Sequence, residues 1–159
     1  MNNEFDMEKA QEVYNTLTSM LDNIGWTYEK NEEKLLIESG VKGDDLPVNF
    51  IVLVNPKNQV VQFLSAMPFN IPEDKRVDAA IAVAVANYGL VDGSFDYDIN
   101  DGEIRFRLTS SYRESFLSEE LFEYMVMVSA ATVDEYNDRF FMLAKGMITV
   151  EDFIKKDGE

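Results

Sequence analysis

The densest group of oxygen ligands in the chain is Asp96-Tyr97-Asp98-Ile99-Asn100-Asp101-Gly102, whose alternate acidic and amide side chains are spaced like the opening of an EF-hand calcium loop. The spacing then fails. The sixth position, where the sharp turn needs glycine, is Asp101, and the twelfth, where a bidentate glutamate belongs, is Arg107. Arg105 and Arg107 share one face of a strand, and their guanidinium forks match a carboxylate or phosphate. Neutralisation by Asp98 and Asp96 across a hairpin is the simpler expectation. Asp44 with Asp45 and Glu119 with Glu120 are paired carboxylates, able to do acid–base work if burial splits their pKa values. Their places beside turns and helix starts predict that they are solvated. Tyr88, Trp26 and the Met125/Met127 region are adaptable apolar side chains of the kind that line peptide grooves, although core packing explains such residues equally well. Asn87 stands out among alanines; it is suited to cap a helix end, to reach a neighbouring loop or to bind a partner.

What is missing narrows the chemistry. The chain has no histidine and no cysteine, which removes the common zinc sites, Ser-His-Asp and Cys-His nucleophile systems, disulfides and Fe–S ligation. No cofactor or metal is expected. A net charge of −16, from 30 acidic and 14 basic residues, repels nucleic-acid phosphates and anionic lipid and favours basic partners. No run approaches the length of a membrane helix, and the acidic start MNNEFDMEK lacks the apolar core of a signal peptide, so a cytoplasmic protein is expected.

The 159 residues suit a single domain, 1–159, with one core. Three- and four-residue spacing of apolar positions predicts a first helix over 4–24, closed by Gly25. Strands follow over 26–66: a marginal pair near Trp26–Tyr28 and Lys34–Glu38, then Val48–Val54, so apolar that a central strand covered on both faces is expected, then Gln59–Ala66. A second helix over 73–88 opens at Pro72, with a stripe of Val77, Ala80, Ile81, Ala84, Val85 and Tyr88 set among further alanines. Such small residues allow close approach to the sheet or to a second copy of the helix.

Asp101-Gly102 between two alternating runs predicts a tight hairpin over 93–110. Counting outward places Phe95 opposite Leu108, Tyr97 opposite Phe106, Asp98 opposite Arg105 and Asp96 opposite Arg107. A long helix over 119–144, capped by Ser118, carries the stripe Leu121, Met125, Val128, Thr132, Tyr136, Phe140 and Leu143; Thr149 caps a short helix over 150–155.

The segments Leu46-Pro47 into Val48–Val54, Met67-Pro68-Phe69-Asn70-Ile71-Pro72-Glu73, Ala86-Asn87-Tyr88-Gly89, Gly93-Ser94-Phe95-Asp96-Tyr97-Asp98 and Asp101-Gly102-Glu103-Ile104-Arg105-Phe106-Arg107 resemble the YbjN family of bacterial sensory transduction regulators. The resemblance implies an α+β fold like that of type III secretion chaperones, a twisted antiparallel sheet flanked by helices in the order α-β-β-β-β-α-β-β-α(-α). It also implies a bacterial cytosolic protein, a homodimer, and no catalytic residues to carry over. The function expected is non-catalytic binding of a protein or peptide segment, with Asn87, Tyr88, Arg105, Arg107 and Met125 as candidate contacts. The alternatives are a small-molecule-responsive regulator with its pocket between the sheet and the long helix, and, more remotely, an enzyme using carboxylate, Lys or Tyr chemistry.

Overall fold

The computed structural model describes residues 6–158. Helix α1 (Met7–Asn23) is followed by four strands, β1 (Tyr28–Asn31), β2 (Leu36–Val41), β3 (Val48–Asn55) and β4 (Val60–Asn70). A 3-10 turn (Glu73–Lys75) leads into α2 (Arg76–Gly89), then β5 (Ser94–Asp98), β6 (Glu103–Ser111), α3 (Glu119–Ala144) and α4 (Val150–Asp157). Positions 4 and 5, where the sequence places the start of the first helix, lie outside the described residues; Asp6 caps α1, accepting the Lys9 N–H at 2.9 Å.

The six strands form one antiparallel sheet in the order β1-β2-β3-β4-β6-β5. This is the α+β architecture that the sequence predicts. Strand alternation sends Val48, Phe50, Val52 and Val54 of β3, and Val61, Phe63 and Ser65 of β4, to one buried face. The helices pack there, burying Ala10, Tyr14, Leu17 and Leu21 of α1 and Phe122, Met125, Val133 and Phe140 of α3. An aromatic chain runs through this layer: Phe50 stacks on Phe63 at 4.6 Å, Phe63 meets Phe106 edge-on, and Phe95 meets Phe106 and Phe140. The space between sheet and long helix, where a small-molecule pocket is one sequence-based expectation, is filled by these rings.

Three readings of the periodicity are corrected. First, β3 is central but covered on one face only; Ile51 and Leu53 point away from the helices and remain half-exposed. Second, α2 is turned over. Its buried residues are Ala79, Ala82, Val83 and Ala86, while Val77, Ile81 and Tyr88 of the expected inner stripe are 68%, 42% and 96% exposed. The alanines win the inner face because they let the helix sit close to β5, where larger side chains would hold it off. Third, α3 runs unbroken through Thr132, but its buried stripe lies a little to one side of the expected one: Phe122, Val126, Ser129 and Val133 are buried where Leu121, Val128 and Thr132 are only half-buried.

The β5–β6 hairpin is also tied differently. Phe95 faces Phe106, Tyr97 faces Ile104, Asp96 faces Arg105 and Ser94 faces Arg107, a slip of two residues from the tight turn. Four residues, 99–102, form the loop. Asp98 accepts the Asn100 N–H through its side chain and the Gly102 N–H through its carbonyl, and Asp101 accepts the Glu103 N–H. Gly102 has φ +81°, and a Cβ there would lie 2.2 Å from the Ile71 carbonyl oxygen, so only glycine fits. An even slip keeps every side chain on its expected face and changes only its partner.

Candidate functional site

Helices occupy one side of the sheet; among the described residues nothing covers the other. Register defines that open face row by row. Glu29 lies opposite Glu38, Glu38 opposite Ile51, Ile51 opposite Leu64, and Leu64 opposite Arg107. The adjacent row brings Leu36, Leu53 and Gln62 together. Apolar side chains therefore form the middle of the face, with acids at the β1/β2 side and arginines at the β6 side. A depression of about 780 Å³ opens here, its floor formed by Ile51, Leu64 and Ala66 and its margin by Glu29, Glu38, Glu103 and Arg105.

The margin is held by the sheet itself. Trp26 Nε1 donates to Ser39 Oγ at 2.7 Å and Ser39 Oγ donates to the Thr27 carbonyl at 2.7 Å, fastening the short β1 to β2. Tyr28 reaches back to Asp22 of α1 at 2.8 Å; burial first, and then this bond to the carboxylate, push its phenol pKa up to about 12, so it remains a neutral donor. Across the face, Arg107 grips both oxygens of Asp96 at 3.0 Å, and Arg105 reaches the same carboxylate at 3.3 Å. One aspartate thus serves both arginines, in place of the two separate pairs expected from sequence; Asp98 is used up in the turn.

The sequence-derived candidates fall into three places. Arg105 and Arg107 lie on the open face. Tyr88 is on the outer side of α2 beside Ile81, Val85 and, from α4, Ile154, which together flank a shallow apolar groove of about 590 Å³. Met125 is 2% exposed in the core, out of reach of any partner, while Met127 is 44% exposed.

Asn87 has a structural task. Its Nδ2 donates to the Phe95 carbonyl at 3.0 Å and its Oδ1 accepts the Phe95 N–H at 2.7 Å, so one amide side chain replaces a neighbouring strand along the β5 edge. That contact protects an edge from pairing with another chain. Asp44, Asp45, Glu119 and Glu120 are all exposed.

The residues that sequence reasoning missed are Ile51, Leu53 and Leu64. Leu64 lies in the β-rich run of β4; for Ile51 and Leu53 the signal was present in the nearly unbroken apolar run of β3, which reads as burial on both faces. The structure shows that half of that run is surface.

A second cluster fixes the C-terminal helix. Arg139, 4% exposed, pairs with Asp157 at 3.1 Å and donates to the Phe153 carbonyl at 3.2 Å, with its guanidinium over the Tyr136 and Phe153 rings at 4.8 and 4.4 Å. Tyr136 donates to Asp157 at 2.7 Å; burial, then this bond, push its pKa up to about 12. No described helix is long and apolar enough to cross a membrane.

Comparison with known proteins follows this geometry. Residues 14–142 match the YbjN family, whose description reads "Putative bacterial sensory transduction regulator". A search of curated proteins found no match. Among solved structures, YbjN from E. coli superposes with a TM-score of 0.61 at 12% identity, covering 79% of this chain and 92% of that one. The ExsC–ExsE complex gives 0.57 at 14% identity, with 81% and 93% covered. The HopA1–SchA chaperone–effector complex gives 0.55 at 9% identity, with 84% and 98% covered. At these identities the likeness is one of fold, the secretion-chaperone-like α+β fold. Helix α4 lies beyond the region matched by the family.

Proposed function

The chain belongs to the YbjN family, and from that premise we propose that it is a non-catalytic, cytoplasmic binding module that receives an extended protein segment on the open face of its sheet. The observation that carries the reading is the uncovered apolar floor of Ile51, Leu64 and Ala66 at the middle of a six-stranded sheet. Half-exposed aliphatic side chains side by side on a rigid surface gain from being covered, about 25 cal/mol for each Å² of apolar area removed from water. Two of the structures that share the fold are complexes with a protein partner, ExsC with ExsE and SchA with HopA1, which supports a protein as the occupant here. The acid surplus of the chain favours a basic one.

The same proposal includes self-association through the outer side of α2. Val77, Ile81 and Tyr88 present an exposed apolar strip there, beside the half-buried Val85, and it lies away from the open sheet face.

Affinity capture from the native host's lysate tests the reading, using the wild-type chain, an Ile51→Glu/Leu64→Glu variant and an Ile81→Glu variant at low and high salt. A protein held at high salt by the wild type and by Ile81→Glu, but released by the sheet variant, is the expected result. Equal capture by all three chains would refute the open face as the site. A partner held only at low salt would mean that charge, and not apolar contact, does the holding.

A further inference from the structure

We infer that the open face reads an arginine followed, at alternate positions, by two apolar side chains. The inference rests on segment binding at this face, as proposed above, and assigns the segment's chemistry. One row of the register carries it: Glu29, Glu38, Ile51 and Leu64 stand side by side across β1, β2, β3 and β4, all on the open face. Glu29 and Glu38 are exposed, directly opposite each other, and neither has an ion-pair partner among the described residues. Like charges so placed repel, and a cation set between them relieves both.

The far end of the row makes no such demand. Leu64 is followed by Arg107, which together with Arg105 is held by Asp96, and Asp98 and Glu103 lie on the same two strands. Carboxylates outnumber guanidinium groups there, so no positive charge is left over to attract an acid. Arginine suits the near end better than lysine, because its planar fork donates to two carboxylates at once from fixed positions, whereas an ammonium is a point charge.

The spacing sets the pattern. From the midline between β1 and β2, Ile51 on β3 is one and a half strand intervals away and Leu64 on β4 two and a half, about 7 and 12 Å at ~4.8 Å per interval. An extended chain laid across the strands advances ~3.4 Å per residue, so side chains at i+2 and i+4 fall about 7 and 14 Å from that at i. An arginine bridging Glu29 and Glu38 thus sets its second neighbour on Ile51 and its fourth over the Leu64 side of the floor. The depression of about 780 Å³ that Glu29, Glu38, Ile51 and Leu64 line gives the segment its room. The segment can run in either direction, because only the order of its side chains across the strands is read.

The test titrates the ¹⁵N-labelled full chain with four peptides, Ser-Leu-Asn-Leu-Ser-Xaa-Ser-Leu-Asn-Leu-Ser, in which Xaa is Arg, Lys, Gln or Glu and the leucines on both sides serve either direction. The arginine peptide is expected to shift the amides of Glu38, Ile51 and Leu64 at about fivefold lower concentration than the glutamine peptide, the upper scale of an exposed ion pair, with lysine between them and glutamate weakest. Glu29→Gln/Glu38→Gln should make the arginine and glutamine peptides equal. Glu8→Gln/Glu12→Gln, which removes two exposed acids of α1 on the helix side, should keep the difference. Four peptides binding alike, lysine matching arginine, or the α1 variant losing the difference as fully as the sheet variant would overturn the inference and leave segment binding intact. If none shifts these amides the inference fails as well, and segment binding fails with it only if the Ile51→Glu/Leu64→Glu variant captures host proteins as the wild type does.

Discussion

Asn87 shows how one side chain can decide the state of a sheet edge. Its two hydrogen bonds to the Phe95 backbone are half-buried, and an alanine there would leave both backbone groups without partners. Asn87→Ala should cost about 1–3 kcal/mol, read as a lower urea midpoint with an unchanged slope; an unchanged midpoint would show that water replaces the amide without loss. Tyr136 gives a prediction in pH. Its folded-state pKa of about 12 lies above the ordinary tyrosine value of 10.0, so the folded chain holds the proton more tightly than the unfolded one. Its contribution is full below pH 10 and is lost as pH rises through about 12. Tyr136→Phe should therefore flatten part of the alkaline fall in stability, to which Tyr28, also pushed up to about 12, and Tyr14, Tyr97 and Tyr112, raised chiefly by burial, contribute as well. At this scale the sequence was informative about side and poor about partner. The shared face of Asp96, Arg105 and Arg107 follows from alternation, but the pairing does not, because Asp98 and Asp101 stabilise a four-residue loop with their own carboxylates.

Among the elements, α2 carries the sharpest lesson. Apolar spacing marks two sides of this helix, one of alanines and one of larger residues, and hydrophobicity alone selects the wrong one as the core side. Close packing against β5 decides the matter, and it is invisible until the neighbour is known. The consequence is testable: Ile81→Glu and Tyr88→Glu should leave thermal stability nearly unchanged, since both side chains face water, yet shift the sedimentation of a self-associated chain to that of the monomer. Unchanged sedimentation, or a chain already monomeric at high concentration, would remove α2 as a self-association surface.

Helix α4 presents the opposite case. Its N-cap at Thr149 was legible, whereas the completion of a capping box by Asp152 and the buried Arg139–Asp157 pair that holds the helix were not, the pair because eighteen residues and a turn separate the two. Arg139→Ala removes the ion-pair partner of Asp157, leaving the Tyr136 hydroxyl on its carboxylate, removes the guanidinium bond to the Phe153 carbonyl, and should cost about 3–5 kcal/mol. Amide exchange in α4 should accelerate more than that in α1; uniform protection would mean that the pair is not what fastens the helix.

For the molecule as a whole, placing the described helices on one side of the sheet leaves the other side uncovered among the described residues, and the proposed function rests on that asymmetry. The order of strands and helices could be foreseen from turn residues and periodicity. The order β1-β2-β3-β4-β6-β5 across the sheet, and with it the juxtaposition of Glu38, Ile51, Leu64 and Arg107, could not, because it depends on which hairpin lies beside which. The apolar run of β3 then changes meaning, from a strand buried on both sides to one that is half core and half exposed floor of the open face.

The most direct measurement of that claim is site-specific photo-crosslinking, with a benzophenone side chain placed at Leu64 on the open face or at Met127 on an exposed turn of α3, in lysate of the native host. The account predicts that Leu64 captures a protein through one short segment, identified by mass spectrometry, and that Met127 does not. Adducts that are absent at Leu64, or the same from both positions, would contradict it.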